Sequence, residues 1–233
     1  MRSSSPLLFL IALGLLLPDA VHAQGVTVDE GTFRILVDGR EIGTETFAIR
    51  RSGTGADAQV IATAEIHMEV PEGRLDLRPA LQASGVEMAV SAYQIKVSGH
   101  TQEEVYVTLG PRRFLTKVRS ERGEQEREYR ATPGTLLLDT DVAHQYYFVS
   151  TRAAAMNGGT VPVIVPREGE VFDLTVTVVG PETIRIGGTS VEARHLRLEG
   201  RQQTRDLWVD GEGRVLRLEF PARGYVAERR TLP

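Results

Sequence analysis

Three side chains near the middle of the chain have types and spacing that could do chemistry. Asp139, Asp141 and His144 place two carboxylates and an imidazole within six positions. Such groups can ligate a metal ion or move protons. Their spacing matches no known closed metal site, however, and no other part of the sequence supplies a clear fourth ligand. We therefore predict no metal and no cofactor, and we interpret the two carboxylates as caps at the N-terminus of a helix.

The same carboxylates lie in the segment Leu-Asp-Thr-Asp at residues 138–141, which comes close to the Leu-Asp-Thr-Gly signature of pepsin- and retropepsin-like proteases. In those enzymes an Asp from each half shares a proton and activates water. Here Asp141 replaces the glycine, and a second acidic side chain would crowd the tight turn. The Gly-x-Ser-x-Gly motif of serine hydrolases is also absent. The sequence thus predicts no catalytic residues and a non-enzymatic protein, and a hydrolase of unrecognised type is the alternative that stays open.

A helix over residues 141–155 would position these groups. Its apolar side chains recur at the helical spacing of four, three and four: Val142, Tyr146, Val149 and Ala153, with Phe148 and Met156 beside them. The following Asn-Gly-Gly, residues 157–159, tolerates the positive φ angles that end a helix. A short and largely apolar helix is unstable alone in water, so we expect it to pack against a sheet.

The rest of the sequence alternates between apolar and polar residues, as β-strands do. The clearest strand is Gln59–Val70, and Asp38-Gly39 is a dipeptide typical of a two-residue hairpin turn. Beyond Gly43 the apolar positions change parity, which makes Gly43 a candidate β-bulge. About ten or eleven strands with short connections predict a mainly β fold: one large, curved antiparallel meander, a half-barrel or clam, with the helix on its concave face. We find no internal repeat and no linker, so residues 24–233 are predicted to be a single domain.

Composition and the first residues indicate the compartment. A positive residue, an apolar run of about eleven residues and a Val-His-Ala site predict a signal peptide over residues 1–23, cleaved between Ala23 and Gln24. We therefore expect a periplasmic or secreted protein with no transmembrane span in the mature chain. The sequence contains no Cys, which excludes disulfides, thiolate chemistry and a lipidated cysteine. Its net charge of −4 argues against a nucleic-acid partner.

Two stretches carry a resemblance to a family. The C-terminal runs ETIRIGGTSVEARHLRLEG and RDLWVDGEGRVLRLEFPARGYVAERR, together with the opening FRILVDGREIGTETFAI, resemble an uncharacterised family of exported bacterial proteins known only as a domain of unknown function. The resemblance implies an antiparallel clam, similar in architecture to periplasmic carriers of lipids or lipoproteins. It carries over no catalytic residues, because none are established for that family.

A cleft between the helix and the apolar face of the sheet is the most direct functional expectation. Small residues on that face could leave room for an acyl chain, since ligand sites are concave and mostly apolar. The predicted ligand-binding residues are Ala62, Ala64, Ile66, Met68, Val142, Tyr146 and Val149. The sequence therefore predicts a non-enzymatic envelope protein that binds a lipid or another hydrophobic small molecule. The alternative is a periplasmic interaction or scaffold module with a fully packed core and an envelope protein as its partner.

Overall fold

The structure is a computed structural model that describes residues 25–233, so the predicted signal peptide lies outside the described residues. One sheet of 15 strands and one α-helix make up the fold. The strands are β1 (Val26–Val37), β2 (Arg40–Ser52), β3 (Gln59–Val70), β4 (Gly73–Ser84), β5 (Ala89–Gly99), β6 (Glu103–Leu109), β7 (Arg113–Ser120), β8 (Gly123–Arg130), β9 (Leu136–Leu137), β10 (Gly159–Val165), β11 (Glu170–Ile186), β12 (Thr189–Gly200), β13 (Gln203–Val209), β14 (Val215–Phe220) and β15 (Tyr225–Arg229). The helix, α1, spans Tyr146–Met156.

The strand order confirms the predicted antiparallel meander. From one edge to the other it runs β8-β7-β6-β5-β4-β3-β2-β1-β15-β14-β13-β12-β11-β10-β9. Every neighbouring pair is antiparallel except the short pair of β9 and β10. The prediction of ten or eleven strands was too low. The local connections nevertheless keep most sequence neighbours adjacent in the sheet, as expected for a meander.

The sheet is bent so strongly that its β9 end reaches β5. The Tyr93 hydroxyl on β5 donates a 2.7 Å hydrogen bond to Asp139, which follows β9. Ten strands separate β5 from β9 in the sheet order, so this contact is made across the opening of the curve. A sheet of this many twisted strands is expected to curl. No helix among residues 25–233 is long and apolar enough to cross a membrane.

A bulge in β2 places a carboxylate on the concave face. Ile35 pairs with Gly43 and Leu36 pairs with Glu41, so Ile42 is the extra residue, one position before the predicted bulge at Gly43. Gly43 itself must lack a side chain, because a Cβ there would collide with the carbonyl oxygen of His67. Beyond the bulge, Glu45 points to the same side as the core residues that flank it on its strand and across the sheet: Phe33, Phe47, Ile49 and Ile66.

Glu45 holds the start of the helical segment. Its carboxylate accepts hydrogen bonds from the backbone N–H groups of Ala143 and His144, at 2.7 and 2.8 Å, and from the His144 ring at 2.7 Å. A turn with i to i+3 hydrogen bonds leads from Ala143 into α1. A carboxylate at the start of a helical segment accepts hydrogen bonds from backbone N–H groups that have no partner within the helix. Its negative charge also interacts favourably with the positive end of the helix dipole. The side chains of Glu45 and His144 are both fully buried.

The predicted helix was therefore wrong at its start. It begins at Tyr146 and not near residue 141, and neither Asp139 nor Asp141 caps it. Asp141 has a φ of 65°, which breaks the chain out of a right-handed helix. The predicted end is confirmed, since Asn157 has a φ of 53° and forms the left-handed cap. Met156 is 46% exposed and does not join the buried face that Val149 and Ala153 occupy.

We predict that Glu45→Gln lowers the free energy of unfolding by about 3 kcal/mol, because it replaces one buried acceptor oxygen with an amide donor that faces the N–H groups of the helical segment. Urea denaturation of residues 24–233 measures this difference. The matched control is Glu41→Gln on the same strand, whose ion pair with Arg230 is exposed; it should cost less than about 1 kcal/mol. Equal effects of the two substitutions would contradict the role given to Glu45.

Candidate functional site

The seven residues predicted to bind a ligand all belong to one buried core. Ala62, Ala64, Ile66 and Met68 lie on the concave face of β3, while Val142, Tyr146 and Val149 lie in and before α1. Both groups belong to the same buried cluster. All seven are buried, with exposed fractions of 7% or less. Tyr146 is the member of this set that also lines a cavity.

That cavity lies at the start of α1 and has a volume of about 340 Å³. The segment before the helix forms one side, and the β10–β11, β12–β13 and β14–β15 connections with their adjoining strands form the others. Its walls combine apolar and charged side chains: Leu138, Asp139, Thr140, Tyr146, Val165, Glu168, Phe172, Arg201, Gln203, Arg205, Phe220 and Arg223. A concave, partly aromatic site with a few convergent polar groups is typical of ligand pockets.

Arg205 is the unusual residue of this site. It lies on β13 opposite Leu198, in a row of core side chains on the concave face, and it is only 7% exposed. Its guanidinium lies between two aromatic rings, with Cζ 5.7 Å from the centroid of Phe172 and 4.8 Å from that of Phe220. Within the described chain, its Nε and Nη1 atoms are buried and have no hydrogen-bond partner. Unpaired buried polar groups are rare, because each costs free energy.

The other charges around the cavity are paired with one another. Asp141 forms a 2.7 Å ion pair with Arg223, and Glu168 forms one of 2.8 Å with Arg201. Burial opposes ionisation of Glu168, but hydrogen bonds from Thr140 and Arg201 outweigh it and hold the pKa of Glu168 below its usual value. Both carboxylates are already engaged by other arginines, so neither is free to pair with Arg205.

Asp139 serves as a structural junction. Its carboxylate accepts hydrogen bonds from Arg167 at 2.6 Å, from the Tyr93 hydroxyl at 2.7 Å and from the backbone N–H of Thr140 at 2.8 Å. Burial alone would lower the pKa of Arg167, but the Asp139 carboxylate outweighs this and raises it. Burial raises the pKa of the Asp139 carboxyl above its usual value, although these three donors oppose the rise. The donors occupy both carboxylate oxygens and tie Asp139 to β5 and to the segment after β10.

Asp139, Asp141 and His144 are not brought together into one site. Asp139 pairs with Arg167, Asp141 pairs with Arg223, and His144 pairs with Glu45. Across residues 25–233 no group of three or more His, Cys, Asp or Glu side chains could hold a metal ion.

Tyr146 contributes a neutral hydroxyl to the cavity. Burial raises its pKa to about 12. Its ring meets that of Phe220 edge to face, with centroids 6.0 Å apart. At neutral pH this phenol can donate a hydrogen bond but is not an anion, so it does not neutralise Arg205.

Sequence reasoning missed Arg205, Phe172 and Phe220. Arg205 begins the segment Arg-Asp-Leu-Trp-Val, where it has the same parity as the apolar residues Leu207 and Val209. That parity was a usable signal, since it places a charge on the buried face of a strand. The aromatic partners could not be found in this way, because their proximity depends on the register of the sheet. Gly200 assists here: a Cβ at that position would press on the Phe172 ring.

Fold and site together define a barrel-like, mainly β protein with one internal helix and a cavity at the start of that helix. The chain belongs to the family described as Domain of unknown function (DUF6134), whose model matches residues 100–231. Its fold is similar to that of a solved structure titled "Crystal Structure of Beta-barrel-like Protein of Domain of Unknown Function DUF1849 from Brucella abortus". The match covers 87% of this chain and 94% of that chain, with a TM-score of 0.53 and 8% sequence identity. No curated protein matches the sequence. These comparisons confirm the fold and the assignment to an uncharacterised family, and they indicate no catalytic family.

We predict that Asp139→Ala lowers the free energy of unfolding by about 3 kcal/mol, because it leaves buried donors of Arg167 and Tyr93 without their acceptor. Thermal or urea unfolding measures the change. Asp173→Ala is the control, since Asp173 is an exposed residue of β11; its effect should stay within about 0.5 kcal/mol. A stable Asp139→Ala protein that had lost a hydrolytic activity of the parent would instead support the hydrolase alternative.

Proposed function

We propose that this protein is exported and binds a hydrophobic small molecule or lipid, without catalysing a reaction, in the cavity at the start of α1. The observation that carries the proposal is the cavity of about 340 Å³, to which Tyr146, Phe172 and Phe220 all contribute aromatic rings. This volume lies at the lower end of the range of about 300–1,000 Å³ typical of ligand pockets. It suits a single short apolar chain or a compact ring system.

The proposed site is displaced from the one that the sequence predicts, but it shares a residue with it. Tyr146 lines the cavity, while the other six predicted residues are buried in the core. The positions around Ala62 and Ala64 are closely packed and leave no cavity there among those described. A ligand is therefore proposed at the N-terminal end of the helix, where the turns of the sheet rim surround an open volume.

The state of the acidic groups supports binding over catalysis. Asp139, Asp141 and Glu168 are each held in an ion pair with an arginine. A general base needs a lone pair that is free to accept a proton in the reacting complex. With these carboxylates engaged, the cavity offers surfaces and fixed charges and no obvious proton acceptor.

Filling the cavity should abolish binding. We predict that Gln203→Trp weakens binding of the neutral fluorophore N-phenyl-1-naphthylamine at least about tenfold, since an indole would occupy the volume that the probe needs. Fluorescence titration of residues 24–233 measures the affinity. The matched control is Gln59→Trp at the start of β3, on an exposed position away from the cavity. Absence of binding by the parent protein, or equal affinity of both variants, would contradict the proposed site.

Export has its own test. We expect the chain expressed with residues 1–23 in a Gram-negative host to appear in the periplasmic fraction, with Gln24 as its first residue. N-terminal sequencing and intact mass of that fraction check this. A protein that keeps residues 1–23 and stays with the cytoplasmic fraction would contradict export and leave the ligand proposal to stand on the cavity alone.

A further inference from the structure

We propose that the ligand of this cavity carries an oxyanion, either a carboxylate or a phosphate, which binds to Arg205. This inference rests on the proposed function and specifies its ligand: an amphiphile with an apolar body and an anionic head. Its physical basis is a guanidinium placed on the concave face without a counter-ion from the described chain.

The position of Arg205 is built and specific. The rings of Phe172 and Phe220 lie 5.7 Å and 4.8 Å from the guanidinium carbon, and the pairing of β13 with β12 places Arg205 opposite Leu198. Nε and Nη1 are buried without a partner. A guanidinium presents its N–H groups as a planar fork that matches the two oxygens of a carboxylate or phosphate. The free N–H groups are therefore pre-oriented for one class of ligand.

Arg205 is the arginine of the cavity wall that has no ion-pair partner in the described chain. Three arginines and two carboxylates line the cavity: Arg201, Arg205, Arg223, Asp139 and Glu168. Asp139 pairs with Arg167, Arg201 pairs with both Glu168 and Glu170, and Arg223 pairs with Asp141. Every nearby carboxylate is thus engaged by another arginine, and Arg205 is the most buried of the three arginines in the wall. Isolated buried charges are strongly unfavourable, so a mobile anion is the partner that this arrangement lacks.

Arg229 shows how the same fold treats an arginine with a structural role. It is also buried, at 1% exposure, and its guanidinium also lies near two phenyl rings, with Cζ 5.5 Å and 5.1 Å from the centroids of Phe33 and Phe47. Unlike Arg205, it forms an ion pair with Asp29 and donates further hydrogen bonds to the backbone carbonyls of Val215 and Glu30. The contrast separates a guanidinium with an ion-pair partner from one that lines the cavity and has none in the described chain.

The walls around Arg205 define the rest of the ligand. Leu138, Val165 and the two phenyl rings provide apolar surface beside the charge. A free inorganic anion would leave this surface without a partner, whereas a short-chain carboxylate or an alkyl phosphate would use both parts. The two head groups share the same oxyanion chemistry, so binding measurements must decide between them.

Calorimetric titration of the mature protein with octanol, octanoate, octyl phosphate and inorganic phosphate tests the inference. We expect at least one of the two anionic amphiphiles to bind about ten- to a hundredfold more tightly than octanol, as hydrogen bonds to a charged group imply. Arg205→Met, which keeps a side chain of similar length between the rings, should abolish this preference. Arg50→Gln, which removes an exposed positive charge from β2, should keep it. The preferred head group identifies the source as a carboxylate or a phosphate.

Unfolding temperatures show whether Arg205→Met changes binding directly or only by destabilising the fold. Without ligand, Arg205→Met should unfold at or above the temperature of the parent protein, because it removes an uncompensated buried charge. Arg229→Met should instead lower the unfolding temperature by about 10 °C, since it leaves Asp29 buried and unpaired. A loss of stability in Arg205→Met as large as that in Arg229→Met would overturn the inference.

The binding outcomes distinguish the inference from the proposed function. Equal affinity for octanol and both anions would overturn the oxyanion inference and support apolar binding alone. Inorganic phosphate binding as tightly as octyl phosphate, and only with Arg205 present, would support the oxyanion site and overturn the hydrophobic ligand. Binding of none of the four probes would overturn both.

Discussion

A single buried carboxylate, that of Glu45, sets the geometry on which the rest of the structure depends. It accepts the backbone N–H groups of Ala143 and His144, which lie nearly 100 positions further along the chain. The contact anchors the beginning of the helical segment to the concave face of β2. Because a buried charge must be fully satisfied, the segment can adopt few other positions. The residues between Asp139 and Tyr146 must then fold back over the sheet rim, and the cavity forms in that fold.

The bulge at Ile42 makes this anchoring possible. Without the extra residue, the alternation of β2 would turn Glu45 toward solvent, and the apolar residues that follow it on the strand would also point away from the core. Gly43 permits the local distortion, because its backbone passes too close to β3 for any side chain. The one extra residue in β2 thus determines where the helix begins. Because Tyr146 is the first residue of that helix, it also determines the position of one wall of the cavity.

The polar groups of the interior fall into two kinds. Glu45, Asp139 and Arg229 have full sets of partners, and each joins segments that are distant in the sequence. Arg205 has a similar degree of burial and similar aromatic neighbours, yet no carboxylate. Natural proteins keep such locally unfavourable arrangements mainly where function requires them, and stability is lost in exchange. This difference, more than the size of the cavity, distinguishes the rim at Arg205 from the packed core near Ala62 and Ala64.

Much of the fold could be predicted from local pattern. The alternation over Gln59–Val70 gave a strand with the bounds that the structure has, and Asp38-Gly39 forms the expected turn with positive φ at both residues. The helix was found from its apolar spacing, but its start was misplaced because the residue that binds it, Glu45, is remote in the sequence. β11 continues through a bulge near Gly180, which only its pairing with β12 reveals. Local rules carry no information about contacts set by sheet curvature, and the surroundings of Arg205 are such contacts.

Because local sequence patterns carry no information about sheet curvature, most of the predicted ligand-binding residues are buried in the core and do not line the cavity. The small residues Ala62 and Ala64 suggested that the helix packs over β3, but its main contacts are with β10 and β14. A sequence cannot show whether such a face is filled, and here those positions are buried. The cavity forms at the end of the helix, where the β10–β11, β12–β13 and β14–β15 connections meet the segment that leads to Tyr146.

A crystal structure of the mature protein grown with octyl phosphate would test the central claim most directly, namely that the anchored helix leaves a cavity whose one missing component is an anion. The account predicts that density for the phosphate lies about 2.7–3.0 Å from the Arg205 guanidinium, with the alkyl chain against Phe172 and Phe220 and the Glu45 carboxylate still bound to Ala143 and His144. A structure in which Arg205 pairs with a carboxylate of the protein itself and the cavity is closed would contradict it.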